Sequence, residues 1–229
     1  MNQIAQTDKV SRFDWLPCLR RGIYFYYPQQ ILNYGIMKIQ TLVLLFAFTA
    51  AFSSCNNSAQ KDPVDAAEEA NKDKDKSDAV AAADKDDANF LVEAASGGMM
   101  EVTLGKAAQT KSLNAEVKNF GNMMITDHSK ANDELKTLAA SKNITIPAAM
   151  GDEQQKMSDK MMEKSGADFD KDYMSMMIDD HKDDIDKFEK AADNCKDADI
   201  KAFAARTLPV LKKHLEAAIV IEDNLKKTK

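Results

Sequence analysis

The chain reads as all-α, an antiparallel four-helix bundle with an extra short helix between its second and third long helices. Three observations lead there. From Asp86 onward apolar residues recur at spacings of three and four, the signature of amphipathic helices. Only two prolines, Pro147 and Pro209, fall in that stretch, and it holds no run of alternating apolar and polar residues that would mark a strand. The four long periodic segments are joined by short connections, which favours antiparallel neighbours.

The first long helix is expected at 87–109 and the second at 113–141, ended by Asn143-Ile-Thr-Ile-Pro147. A short helix follows at 152–164, and Ser165-Gly166 separates it from the third long helix at 168–192. Asp193-Asn-Cys-Lys196 forms a tight turn, and Asp197 is placed to cap a fourth helix at 197–226, because a carboxylate there accepts the unpaired N–H groups of the first turn. Gly97-Gly98 inside the first helix is expected to allow close helix packing.

Residues 1–85 do not share this pattern. Met37–Phe52 starts Met-Lys and continues into an apolar run too short to span a bilayer, which needs about 20 residues. Ser53-Ser54-Cys55 follows, resembling the lipobox of bacterial lipoproteins, with Phe52 and Ser54 departing from the usual residues. Residues 37–54 are therefore expected to be a lipoprotein signal peptide and Cys55 an acylated mature N-terminus, anchored in the membrane. Residues 1–36 then have no role, and the economical reading is a misassigned start; a signal anchor is the rival. Residues 55–85 are almost entirely Ala, Asp, Glu, Lys, Asn and Ser. They carry too little apolar surface to offset ordering entropy, so a disordered tether of roughly 30 Å is expected, holding a helical domain at 86–229.

Charge narrows the partners. The full chain carries −6, and removing residues 1–54 takes away five basic and two acidic residues, leaving −9. Nucleic acid is excluded, since its affinity depends on neutralising phosphates. Of three cysteines, Cys18 and Cys55 belong to the extension and the anchor; Cys195 remains without an internal partner and is expected in an exposed, lysine-flanked turn.

The chemistry-bearing feature is a repeat: Met123-Met-Ile-Thr-Asp-His128 returns as Met176-Met-Ile-Asp-Asp-His181. With His214 these are the three histidines of the chain. Helical spacing sets His128 in a stripe with Val117, Gly121, Met124 and Leu135, and His181 with Met174, Ile178, Ile185 and Phe188. His214 falls in a stripe with Ile200, Phe203, Thr207, Val210 and Ala217. The first helix has Glu101 in the equivalent place, in a stripe with Phe90, Gly97, Leu104 and Ala108. Each polar residue sits within about a turn of its helix midpoint, so antiparallel packing brings Glu101, His128, His181 and His214 to one level. Two accounts fit. Three imidazoles and a carboxylate can hold a transition metal such as Zn or Cu; or the four form a hydrogen-bonded network that fixes helix register. A di-iron centre is disfavoured, because it needs Glu-x-x-His on two helices and the residues three before the histidines are Ile125, Ile178 and Leu211. Thirteen methionines, many paired, raise Cu(I), but adjacent residues lie about 100° apart on a helix and core filling is the plainer account. Asp127 and Asp180 precede two of the histidines; orienting an imidazole competes there with plain solvation, the plainer reading.

Four motifs in order resemble a bacterial envelope family, domain of unknown function 4142. They are Gly97-Gly-Met-Met-Glu-Val-Thr-Leu-Gly105, Phe120-Gly-Asn-Met-Met-Ile-Thr-Asp-His-Ser-Lys-Ala-Asn132, Phe169-Asp-Lys-Asp-Tyr173 with His181, and Phe203-Ala-Ala-Arg-Thr-Leu-Pro-Val-Leu-Lys-Lys-His-Leu215. The resemblance implies a ferritin-like helical bundle over 87–224 and makes Glu101, His128, His181 and His214 a family feature. It places the protein in the envelope of a Gram-negative bacterium, outer-membrane-anchored and facing periplasm or exterior. It implies no activity, and Cys195 stands where the family more usually has glycine. The functional expectation is a small metal-binding module, against a structural or stress-related envelope protein, with an oxidative metalloenzyme third.

Overall fold

In the computed structural model, residues 61–75 and 84–227 are described. The extension at 1–36, the signal peptide at 37–54 and Cys55 lie outside the described residues. The described chain is all-helical: α1 (Pro63–Asp75), α2 (Lys85–Lys111), α3 (Ala115–Ser141), α4 (Asp152–Met162), α5 (Gly166–Asn194) and α6 (Ala198–Lys227). Among the described residues none of these helices is long and apolar enough to cross a membrane.

Local chemistry sets the boundaries. The Asp84 carboxylate accepts from Asp86 N–H at the start of α2, and Asn114 Oδ1 accepts from Glu116 and Val117 N–H at the start of α3. Asp197 caps α6 as expected, accepting from Asp199 and Ile200 N–H at 2.9 and 3.2 Å. After α3 the chain turns at Asn143 with φ of 54°, a left-handed conformation that asparagine tolerates.

α2 packs along α3 and α5 along α6, and the two pairs meet through α3 against α6 and α2 against α5. Interactions at one end set the directions. Asp87, buried at the start of α2, accepts from the backbone N–H of Lys196 (2.9 Å) and Asp197 (2.7 Å) in the α5–α6 turn. Lys142, after α3, pairs with Asp197 and Asp199 at 2.7 and 2.6 Å. The start of α2, the end of α3, the end of α5 and the start of α6 therefore share one end, and each long helix runs antiparallel to the two it packs on. The segment from α3 to α5 must cross the length of the molecule, and α4 lies along α2 on the way.

The helices come closest at Gly105 and Gly121. A Cβ on Gly105 would sit 2.7 Å from the Gly121 carbonyl oxygen, and one on Gly121 would sit 2.8 Å from the Gly105 oxygen. Only glycine fits both positions, and the contact holds α2 and α3 in one register. Gly98 is tight too, since a Cβ there would clash with the Asn132 side chain, whereas Gly97 has open space beside it. Close packing thus holds for Gly98 alone of that pair.

The interior is divided in two. One apolar cluster gathers Met100, Leu104, Phe120, Met124, Phe169, Tyr173 and Met177. The other gathers Leu91, Leu135, Phe188, Ile200, Phe203 and Leu211. Each fully buried large side chain contributes roughly 1.5–3 kcal/mol. The methionine pairs split as helical geometry requires: Met100, Met124, Met161 and Met177 are buried, while Met123, Met162 and Met176 pack at the edge.

Three expectations are corrected. The stretch read as a disordered tether at 55–85 contains α1, which docks on the rest of the domain. Ala67 is its one fully buried apolar residue, and hydrogen bonding that composition does not reveal adds to it. Asn71 exchanges two bonds with the Thr145 backbone (2.7 and 2.9 Å), Lys74 donates to Asn143 O, and Asp62 accepts from both Val64 N–H and Asp152 N–H. Cys195 is buried at 6 % exposure, because the α5–α6 turn folds inward onto Asp87; burial pushes its thiol up to about 12. On α6 the buried stripe passes through Leu211, and Val210 is exposed at 37 %.

Asp87 is the tie that holds the α5–α6 turn to α2. Asp87→Ala is expected to lower unfolding free energy by about 1.5–3 kcal/mol, the range for hydrogen bonds to a charged group, with Asp87→Asn intermediate. Urea denaturation of the three proteins measures this, and an Ala variant as stable as wild type contradicts it.

Candidate metal centre

Between the two apolar clusters lies one polar layer. Glu101 on α2, His128 on α3, His181 on α5 and His214 on α6 are all buried, at 1, 6, 0 and 0 % exposure. The four residues singled out in the sequence are thus brought together from four helices. The antiparallel arrangement and the Gly105–Gly121 contact bring their midpoints level.

His181 and His214 each have one ring nitrogen engaged outside the layer and one turned inward, whereas both nitrogens of His128 face the layer. His181 Nδ1 lies 2.9 Å from the Met177 carbonyl, which can only accept, so Nδ1 carries the proton and Nε2 a lone pair. His214 Nε2 donates to Asp127 Oδ2 at 2.9 Å, leaving a lone pair on Nδ1. His128 Nδ1 lies 2.6 Å from Glu101 Oε2, with one proton between them. The inward atoms are close: His214 Nδ1 is 3.3 Å from both His128 Nε2 and His181 Nε2. His181 Nε2 and His214 Nδ1 therefore face each other as two acceptors with no donor between them. Zn–N bonds of about 2.0–2.1 Å put tetrahedral ligand nitrogens about 3.3–3.4 Å apart, so these spacings suit a shared cation. Glu101 Oε1, 3.5 Å from His181 Nε2, is buried without a hydrogen-bond partner. A void of about 20 Å³ borders Glu101 and His128, enough for one water or one ion.

Burial sets the charge states. It pushes His128 down to about 4, His181 to about 3 and His214 to about 4, and it holds Glu101 well above the usual carboxylate range. The layer is thus neutral near pH 7, and neutral imidazole is the form that ligates metal. Asp127 does not orient the histidine that follows it; it orients His214 across the α3–α6 contact. Asp180 is mostly buried, with Oδ2 unpartnered. Two further groups escaped the sequence reading. Asp184 lines the void beside Glu101 and His128; its place one turn after His181 was the available signal, masked by the acidic run around it. The Tyr173 hydroxyl is buried without a hydrogen-bond partner, in an aromatic stack with Phe169.

Because folding lowers the imidazole affinity for protons, the histidine contribution to stability is fully present above pH 6.5 and is lost as pH falls toward 4 and 3. Proton NMR of the metal-free protein is expected to show all three imidazoles neutral at pH 6, with midpoints below about 5 on the scale where free histidine titrates near 6.5. Three midpoints near 6.5 contradict the closed layer.

Comparison with known proteins gives one match. Residues 48–221 match the family described as Domain of unknown function (DUF4142). No curated protein and no solved structure matches the chain. With three quarters of its length, all four residues of the polar layer among it, inside that match, the chain belongs to the DUF4142 family.

Proposed function

We propose that this protein is a lipid-anchored envelope protein whose four long helices form a ferritin-like four-helix bundle, and that the bundle binds one transition-metal ion, Zn²⁺ or Cu²⁺, in its core. His128, His181 and His214 supply the nitrogens, and Glu101 Oε1 is the nearest oxygen for a fourth position. The single long crossover between α3 and α5 supports the ferritin-like reading, since that topology has one such connection. The observation that carries the metal reading is the pair of facing lone pairs on His181 Nε2 and His214 Nδ1, each with its other nitrogen committed outward. Loading would release the proton on His128 Nε2 and leave the proton shared with Glu101 on His128 Nδ1, with Glu101 as a carboxylate. Asp127, the Met177 carbonyl and Glu101 then fix the imidazole tautomers, the usual task of groups behind metal ligands.

A second reading has the layer as architecture alone. It is favoured by one observation: a protonated Glu101 donating to His128 Nδ1, with His128 Nε2–H donating to His214 Nδ1, satisfies most of the layer without a metal. Melting curves separate the two. With protein purified without a histidine tag, Zn²⁺ at a hundredfold excess over its dissociation constant is expected to add about 2.7 kcal/mol. His181→Ala abolishes that gain. Phe188→Ala, a core deletion in the apolar half, costs roughly 3–5 kcal/mol and keeps it. A melting temperature indifferent to Zn²⁺ and Cu²⁺ leaves the architectural reading.

The membrane link is proposed to run through Cys55, with residues 1–36 absent from the mature protein. Intact mass is expected to show a chain beginning at an acylated Cys55, and Cys55→Ser to move the protein into the soluble envelope fraction. Peptides from residues 1–36 in native cells contradict this.

A further inference from the structure

A cavity of about 400 Å³ lies beside the polar layer, walled by α1, α2, α4 and α5. Its lining is acidic. Asp62, Asp65 and Glu68 come from the α1 region, Glu93 from α2 and Glu153 from α4, with Lys187 the lone basic lining residue among those described. Asp65, Glu93 and Glu153 are exposed, so this rim meets solvent. The inner wall is different in kind. Asp180 and Asp184 line it from α5, and Asp184 also lines the small void beside Glu101 and His128, so one carboxylate borders both spaces.

Two buried oxygens at this inner end are orphans. Asp180 Oδ2 and Glu101 Oε1 are both shut off from solvent and have no hydrogen-bond partner. Asp180, Glu101 and His181 offer ligand atoms within 4.8 Å of one another. Buried carboxylate oxygens without donors are costly unless a cation or a proton joins them. His181 cannot serve two ions, because its Nδ1 is committed to Met177 O and its Nε2 faces His214. The orphaned oxygens thus form a place of passage next to the imidazoles, with ligands too few and too hard to hold a transition metal against them.

We propose that the acidic cavity is the access path for a divalent cation, and that Asp180 with Glu101 Oε1 is the oxygen relay that hands the ion to His128, His181 and His214. The proposal rests on the metal reading above. The rim gathers cations by its field, which is worth tenfold or more in association rate and weakens with salt. α1, the helix that composition hides, supplies one wall of this funnel, so its docking serves access as well as packing.

The test uses Co²⁺ as the probe, with full-length protein in detergent, following the visible absorption of nitrogen-ligated cobalt by stopped flow. Asp180→Asn is expected to slow loading about tenfold or more while leaving the final spectrum and stoichiometry unchanged. The exposed rim pair Glu93→Lys with Glu153→Lys, which leaves the buried interior alone, is expected to slow loading and flatten its salt dependence. Wild-type loading rates in both variants overturn the access path while the metal centre stands. An Asp180→Asn protein that folds but no longer binds Co²⁺ also overturns the relay, making Asp180 a resident ligand. No Co²⁺ spectrum in the wild type overturns the metal reading, and the relay with it.

Discussion

Placing three imidazoles and a carboxylate in one dry layer is the constraint on which the rest of the architecture depends. Each of these groups loses several kcal/mol of hydration on burial unless a partner replaces the water. The partners come from one another, through the proton between Glu101 and His128, and from two outward contacts, Met177 O and Asp127. A helix displaced by one turn, about 5.4 Å, would carry its polar group out of the layer and leave the partner orphaned. The layer therefore selects one register from those that the apolar stripes alone permit, whatever it binds.

Contacts on either side of the layer hold that register. At one end the Asp87 carboxylate, the α5–α6 turn and the Lys142 ammonium tie four helix termini together. In the other half, the Gly105–Gly121 contact sets α2 against α3 at backbone distance, one turn from Glu101 and two from His128. The aromatic groups of Phe90, Phe188 and Phe203, with neighbouring centroids 5.0 and 6.1 Å apart, pack in the opposite half. The layer is clamped from both sides. Such clamping makes the imidazole geometry a property of the whole domain, since no single loop can relax it.

Charge is arranged in the reverse order of burial. The surface of the cavity is strongly anionic, its inner wall carries carboxylates that burial drives toward the neutral form, and the layer itself is neutral. A cation moving inward meets first a field, then oxygens, then nitrogens. This gradient uses residues that look alike in the sequence: Asp180 and Asp184 belong to the same acidic run as Asp179 and Asp183, and only their side of α5 separates them.

By itself the sequence determined the helices and the level of their polar residues. Periodicity found the four long helices to within a few residues, Asp197 was legible as a cap, and the repeated Met-Met-Ile-x-Asp-His motif exposed the histidines. Those features are local, and a helix converts spacing along the chain directly into a face. The tertiary structure alone decided what depended on another segment. It docked α1, because Asn71 and Lys74 find their acceptors at Thr145 and Asn143, some seventy residues away. It buried Cys195 because a turn folds onto Asp87, and moved the α6 stripe from Val210 to Leu211 because that helix faces two neighbours. It gave Asp127 to His214 and not to His128, which follows it in the chain. It also aimed the lone pairs of His181 and His214 at each other, because a ring's tautomer is set by what lies behind it, and that partner is known only once the helices have met.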